Sequence, residues 1–503
     1  VLDDNYKKKR IKIAFNILTE EFQTSNPAIE KQEEWISDIS EFMKVGSINT
    51  FDYVSNYSKK FAIDPNLVNA RINKLLSIKN ISIGRIELSS SLSIEEVTEI
   101  FVRINSKGVV LSQADFAMSK ISVNEEYKGN DIRKAIDYFC HFAKTPADFD
   151  NIKNNDIEFS SKEIFQKISW IKDENEDLYL PSYTDVLRVA FTYKFKRGKL
   201  QDLVSLLSGR DFETREYKEE IIAESYSKLY AGVRDFINQY NYQKYIMILK
   251  SAGIIDESLV RSQNVLNFGY ILYLLLREKN ISPDKIETSV RRWVIMSILT
   301  QRYTSSPESM FDYDIRRLNE APDIIEYINE EISRELNDTF WASILVERFN
   351  TPVTSSPYWK TYIIAQIKLG NKGFLSKDID VRTLIEERGD VHHIFPKDYL
   401  MKNGYSNKQQ YNQIANLAML QTEINIQISN KAPNEYMKSI IDQCNGHENK
   451  YGAINNIEEL KQNMKDNCIP QGFIEMDYLN YNNFLKERRI LMAKKLKDYF
   501  KIL

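Results

Sequence analysis

"DVHHIFP", Asp390 to Pro396, is the stretch on which the reading of this 503-residue chain turns. The chain has only four histidines, yet His392 and His393 stand side by side, after an aspartate and before an apolar pair and a proline. An isolated His-His pair is ordinarily an accident of a polar loop. The surroundings of this pair point elsewhere. Val391 to Phe395 is short and β-prone, and Ile414 to Leu420 is a second β-prone run. "NKAPNEYMKSII" then opens a helix near Pro433, where proline is tolerated in the first turn. The order is strand, loop, strand, helix.

That layout resembles the ββα-metal finger of HNH nucleases. In that family a histidine at the end of the first strand is the general base, and the residue before it binds a divalent metal. The resemblance therefore implies His393 as base and His392 as ligand, although the family often carries an acidic residue where His392 stands. An asparagine opening the second strand fixes the loop that carries the base, and this falls on Asn416 in "ANLAML". The last metal ligand lies nine residues on, at Asn425 in "TEINIQ". Asp390 would either bind the ion or orient a histidine.

These residue types suit the chemistry. A phosphodiester is anionic and resists attack, so its hydrolysis needs a deprotonated water, neutralised nonbridging oxygens and a stabilised leaving alkoxide. An imidazole with an ordinary pKa of ~6.5 can be neutral at working pH and accept the water's proton. Nitrogen and amide-oxygen ligands without thiolates suit Mg²⁺ or Mn²⁺ better than a structural zinc, with Ni²⁺, Co²⁺ or Zn²⁺ as substitutes. His141 and His447 have no comparable surroundings and read as surface or locally bonded histidines.

A second resemblance lies upstream, in "FVRINSKGVVLSQADF", Phe101 to Phe116. Its spacing of Phe, Arg, Asn, Gly, Leu and an acidic residue is similar to the ParB-like N-terminal domain of GmrSD-type type IV restriction endonucleases. Those proteins join that domain through a helical region to an HNH domain of the "HIFP…NL…N…NK" kind. "RRWVIMSILTQRYTSSPES", Arg291 to Ser309, resembles their connector. The resemblance implies a nucleotide-stimulated endonuclease that cuts foreign, modified double-stranded DNA, such as phage DNA, in a bacterial cytoplasm. Arg103 and Asn105 are its candidate contacts to a nucleoside triphosphate, with Gly108 allowing close backbone approach. The same residues also read as a plain helix C-terminus, in which Asn105 and Gly108 make the turn. The family's Asp-Gly-Gln-Gln-Arg signature does not occur in these 503 residues, and the chain opens on Val1, so natural sequence is expected upstream.

Length and composition set the frame. A chain of this size exceeds one core and should form several domains. We expect a mainly α, multidomain protein: an α+β ParB-like portion over residues 1–125, a helical domain over 126–386, the HNH finger over 387–450 and a basic helical extension over 451–503. Helical spacing recurs in Ile164 to Ile171, Val186 to Tyr193, Ile221 to Ile237, Val265 to Leu276 and Val290 to Ile298. "RIKIAFNI", Arg10 to Ile17, reads as a core strand and "ISIGRIEL", Ile81 to Leu88, as a further β-prone run. Small polar residues near Ser112 to Asp115 begin a helix, and Ser93 with Glu96 has the spacing of a capping box. The apolar run "VLNFGYILYLLL" is shorter than the roughly 20 residues of a membrane span and reads as a buried helix.

A formal charge of −3, with 28% charged and 43% hydrophobic residues, gives no overall pull toward nucleic acid, so any polyanion site must be local. Three cysteines with no CxxC spacing support neither a disulfide framework nor a thiolate zinc site. Basic residues gather in "KERRILMAKKLKDYFKIL", Lys486 to Leu503, where Leu485, Met492, Leu496, Tyr499 and Leu503 share a face. Arg488, Arg489, Lys494 and Lys495, with Lys431, are candidate DNA contacts, and Arg316 and Arg317 weaker ones. A homodimer or a companion subunit stays open. So do two other functions, a catalytically silent DNA-binding or regulatory module and an HNH nickase or ribonuclease.

Overall fold

The computed structural model describes residues 12–25, 29–44, 49–82, 87–89, 100, 112–174, 178–387, 389 and 391–503. Asp390 and the Arg103, Asn105 and Gly108 segment lie outside them, as does the Ser93 to Glu96 capping box. The described chain is mainly helical, with five short strands. No described helix is long and apolar enough to cross a membrane. Cys140, Cys444 and Cys468 are unpaired.

The chain forms two compact units, one of residues 1–104 with 150–160 and one of 105–149 with 161–503. In the first, β1 (Ile13–Asn16) is the centre of an antiparallel sheet between β2 (Phe22–Thr24) and β3 (Trp35–Ile36). Phe15 pairs with Phe22 on one side and Ile36 on the other. The Asn16 carboxamide accepts from the main-chain nitrogens of Leu18 (2.8 Å) and Thr19 (3.2 Å), which turns the chain out of β1. Two helices cover the sheet, α1 (Thr50–Phe61), capped by Asn49, and α2 (Pro65–Leu76), capped by Asp64 with proline at its start. Their Tyr57, Val68, Ile72 and Leu75 bury with Phe15, Ile17 and Ile36. The strand expected at the "RIKIAFNI" run is thus present. Of "ISIGRIEL", the described residues 81–82 and 87–88 are not in a strand.

The second unit begins at α3 (Gln113–Val123), where Ser112 and Asp115 form the capping box expected there. Its core is built on α4 (Tyr183–Phe195), α5 (Gln263–Glu278) and α6 (Pro283–Thr300). Every residue of α5 from Val265 to Leu276 is buried, as its unbroken apolar run requires. Gly269 lies where α5 meets its neighbours most closely: a β-carbon there would come within 2.6 Å of the Tyr245 hydroxyl and 2.7 Å of Val294. The α5 amide Asn267 is satisfied by Tyr179 at 2.8 Å and Asp185 at 2.7 Å.

Residues 387–503 lie in the same compact unit as the helices before them. Residues 161–503 are one body because hydrogen bonds stitch the segments together. Asn463 donates to the carbonyls of Gly373 (2.9 Å) and Ser376 (3.0 Å). Gln366, on α7 (Pro357–Lys368), donates to Asn467 at 3.2 Å. Two strands of three residues cannot bury a core of their own, so the finger borrows one from the chain on both sides.

Candidate active site

The histidines stand on β4 (Val391–His393), which pairs antiparallel with β5 (Leu417–Met419). His392 lies opposite Ala418 and His393 opposite Leu417. Ile394 continues the ladder, donating to the Asn416 carbonyl at 2.8 Å. The residues after the pair anchor it. Ile394 and Phe395 are buried, and the Phe395 ring packs on Phe473, Tyr481 and Phe484 at centroid distances of 5.8, 5.1 and 4.9 Å. The Tyr436 hydroxyl donates to the Ile394 carbonyl at 3.0 Å. Half-exposed imidazoles followed at once by buried apolar residues make a rigid mount for a polar site.

Asn416, wholly buried, uses its carboxamide as a second peptide group toward Phe395. Its Oδ1 accepts from the Phe395 nitrogen at 2.8 Å, and its Nδ2 donates to the carbonyls of Phe395 and Tyr411, each at 3.1 Å. This side chain ties the loop to the ribbon. The second β-prone run is shorter than expected: residues 414–416 make a turn of 3₁₀-helix and only 417–419 extend.

His393 has a partner that sequence reading missed. Its Nε2 lies 3.0 Å from Oδ1 of Asn412, whose Nδ2 donates to the Pro352 carbonyl at 3.1 Å. The Pro352 bond fixes the amide with its oxygen toward the ring, so Nε2 carries the proton and Nδ1 keeps the lone pair. Burial pushes the His393 pKa below the ordinary histidine value. The Asn412 bond opposes this, while the nearby charges of Lys397 and His392 reinforce it. The net effect favours the neutral ring.

Asn425 lies within a separate short helix, α8 (Thr422–Ile428), rather than at the start of α9 (Pro433–Cys444). It is half-buried, and its side-chain amide makes no hydrogen bond among the described residues. No group of three or more His, Cys, Asp or Glu side chains among the described residues is placed to hold a metal ion. The residues the sequence offers to an ion stand on separate elements, His392 on β4 and Asn425 on α8. An imidazole nitrogen and an amide oxygen are donor types that a divalent ion with phosphate oxygens and water in its other positions would take.

The candidate DNA contacts are placed unevenly along the C-terminal helix, α10 (Tyr481–Lys501). Its apolar face docks as expected: Leu485, Met492, Leu496, Tyr499 and Leu503 are all buried. Arg488 is a correction, because it too is wholly buried. Its guanidinium donates to the carbonyls of Ala415 (2.8 Å) and Leu417 (2.7 Å), on either side of Asn416, and to Asn467 at 3.2 Å, so it has no surface to offer a phosphate. Arg489 and Lys495 are half-buried, Lys494 is exposed, and Lys431 spans to the Tyr451 hydroxyl at 2.5 Å. Arg316 pairs with Asp312 and Arg317 sits over the Tyr313 ring. His141 lies 2.9 Å from Asp148, and His447 Nδ1 lies 2.9 Å from the Asp442 carbonyl.

Neither a family model nor a solved structure matches the chain. It is similar to the uncharacterized protein MJ0686 of Methanocaldococcus jannaschii, with 25% identity over 238 residues, or 43% of this chain. Those residues span 38% of that relative's length.

Proposed function

We propose that this chain is a metal-dependent HNH endonuclease, acting on foreign DNA in the manner of the GmrSD-type enzymes its sequence resembles. The observation that carries the reading is the mounting of His393. The imidazole, whose burial favours its neutral form, is held by Asn412 through Nε2, leaving Nδ1 as proton acceptor, on a loop pinned by the buried Asn416. A general base needs both tautomer and position fixed, and this mounting supplies them. His393 would take a proton from water at Nδ1 as that water attacks phosphorus, while Asn412 keeps the ring aligned. A divalent ion held by His392 and Asn425 would neutralise the nonbridging oxygens and support the leaving oxygen. The parts that sense modified bases and nucleoside triphosphates belong to the proposal through the ParB-like resemblance alone.

The test is incubation of plasmid and of modified and unmodified phage DNA with Mg²⁺ or Mn²⁺, with and without each nucleoside triphosphate. Single-stranded DNA and RNA serve as parallel substrates. His393→Ala should cost ~10²–10⁴ in rate with fold and DNA affinity intact. More than about a third of wild-type cleavage remaining at equal metal would end the assignment.

A further inference from the structure

A cavity of about 480 Å³ opens in the helical part of the second unit. The connector stretch singled out in the sequence forms much of its wall, through Ser297, Ile298 and Gln301, and the starts of α5 and α7 form the rest. Ser262 and Ser356 stand at the capping positions of those helices, and neither side chain makes a capping bond. Helix N-termini carry partial positive charge and unmade N–H bonds. Against that background the sequence adds two cations. Arg261 precedes α5, and Lys360 sits in the first turn of α7, where a cation is disfavoured by the helix dipole.

Neither cation forms an ion pair among the described residues. The closest opposing influence on Lys360 is Asp256, whose carboxylate caps the Ser258 nitrogen at 2.8 Å. Burial draws the Lys360 ammonium below its ordinary pKa, Asp256 acts against this, and Arg261 adds to it. Two hydrogen-bonding groups on the wall are also unanswered. Ser297 is wholly buried and its hydroxyl has no partner, not even the carbonyl one turn back that a mid-helix serine commonly uses; the Nε2 of Gln263 is likewise unpartnered. Orphaned groups cost stability, and the two here converge with the half-buried Lys360 and the exposed Arg261 on one cavity beside an apolar wall of Val260, Ile298 and Pro357.

We propose that this cavity binds a phosphorylated small molecule. Its phosphate would sit at the two helix N-termini between Arg261 and Lys360, and its organic part would lie against the apolar wall, with Ser297 and Gln263 completing the hydrogen bonds. The inference is independent of the nuclease reading, and the experiment is arranged so that each can fail separately.

Inorganic pyrophosphate, AMP and adenosine are titrated calorimetrically into the His393→Ala protein without DNA, at fixed ionic strength. Pyrophosphate and AMP should bind and raise the melting temperature, and adenosine should not. Arg261→Gln and Lys360→Gln should each weaken pyrophosphate binding roughly tenfold or more. Ser297→Ala should fold as well as the parent, since it removes an unsatisfied hydroxyl, yet bind more weakly. Absence of pyrophosphate and AMP binding at millimolar concentration, or unchanged affinity in the Arg261→Gln/Lys360→Gln double variant, would overturn the proposal. Loss of duplex-DNA affinity in that double variant without any binding of the small phosphates would also overturn it, by assigning the cations to a nucleic-acid surface.

Discussion

Replacing Arg488 with methionine tests whether a buried cation holds the candidate site together. The wild-type guanidinium answers three main-chain carbonyls, those of Ala415, Leu417 and Asn467, in a place with no exposure to water. Methionine has nearly the same reach but no donor, so the three acceptors become buried and unpaired at about 1–3 kcal/mol each. Part of that is returned, because burying a guanidinium without a carboxylate partner is itself costly and depresses its pKa. A net loss of about 2–4 kcal/mol follows, within the 5–15 kcal/mol typical of a folded domain, so the variant should still fold. Urea unfolding should show a lower midpoint at unchanged slope. Hydrogen exchange reports the local effect. The amides of Ile394 and Phe395 bond to the Asn416 carbonyl and Oδ1, each at 2.8 Å, and should lose protection well before the core of α5 does. A variant with the wild-type midpoint and wild-type protection at those two amides would show that Arg488 does not hold the ribbon.

Three further outcomes follow from the same geometry. His392→Ala and Asn425→Ala should each raise the Mg²⁺ or Mn²⁺ concentration for half-maximal cleavage, whereas Asn416→Ala should lower the rate at saturating metal; identical metal titrations for all three would discard the ligand assignment. Because burial holds the His393 pKa below ordinary, cleavage should persist in acid to below pH ~6.5 before protonation silences it. Asn412→Asp places a carboxylate against Nε2 and favours the imidazolium, so the acid limb should move up by about one pH unit or more; a pH–rate profile with an unmoved limb would refute the Asn412 contact.

The long helices were legible because burial on one face, or on all faces, repeats with the helical period. The Val265 to Leu276 run and the Ser112 capping box each carry their signal within a few residues. Arg488 was misplaced although its spacing held the clue: it falls in the row Phe484, Arg488, Met492, Leu496, four residues apart, every other member of which is buried. Its charge outweighed its position, since cations are seldom fully buried. Asn412 gave no such warning. It is one polar residue in a polar stretch, and what selects it is the Pro352 carbonyl 60 residues away, a tertiary fact. The unity of residues 161–503 was hidden for the same reason, because side-chain amides such as Asn463 join segments that composition separates.

The placement of α10 has a consequence for how the protein comes into being. Both histidines are synthesised almost a hundred residues before Arg488, and β5 more than sixty before it. Past Arg488, the Tyr499 hydroxyl closes onto the Ala252 carbonyl across 247 residues and Arg291 onto the main-chain oxygen of Leu503 across 212. Contacts of such sequence separation form late. A ribosome-bound chain would therefore display the histidine pair while the carbonyls flanking Asn416 were still without their clamp, and a product stopped short of residue 488 would carry the residues of the site on a ribbon with nothing to fix it. On the proposed nuclease reading, this order of assembly would withhold a competent centre until α10 had been made.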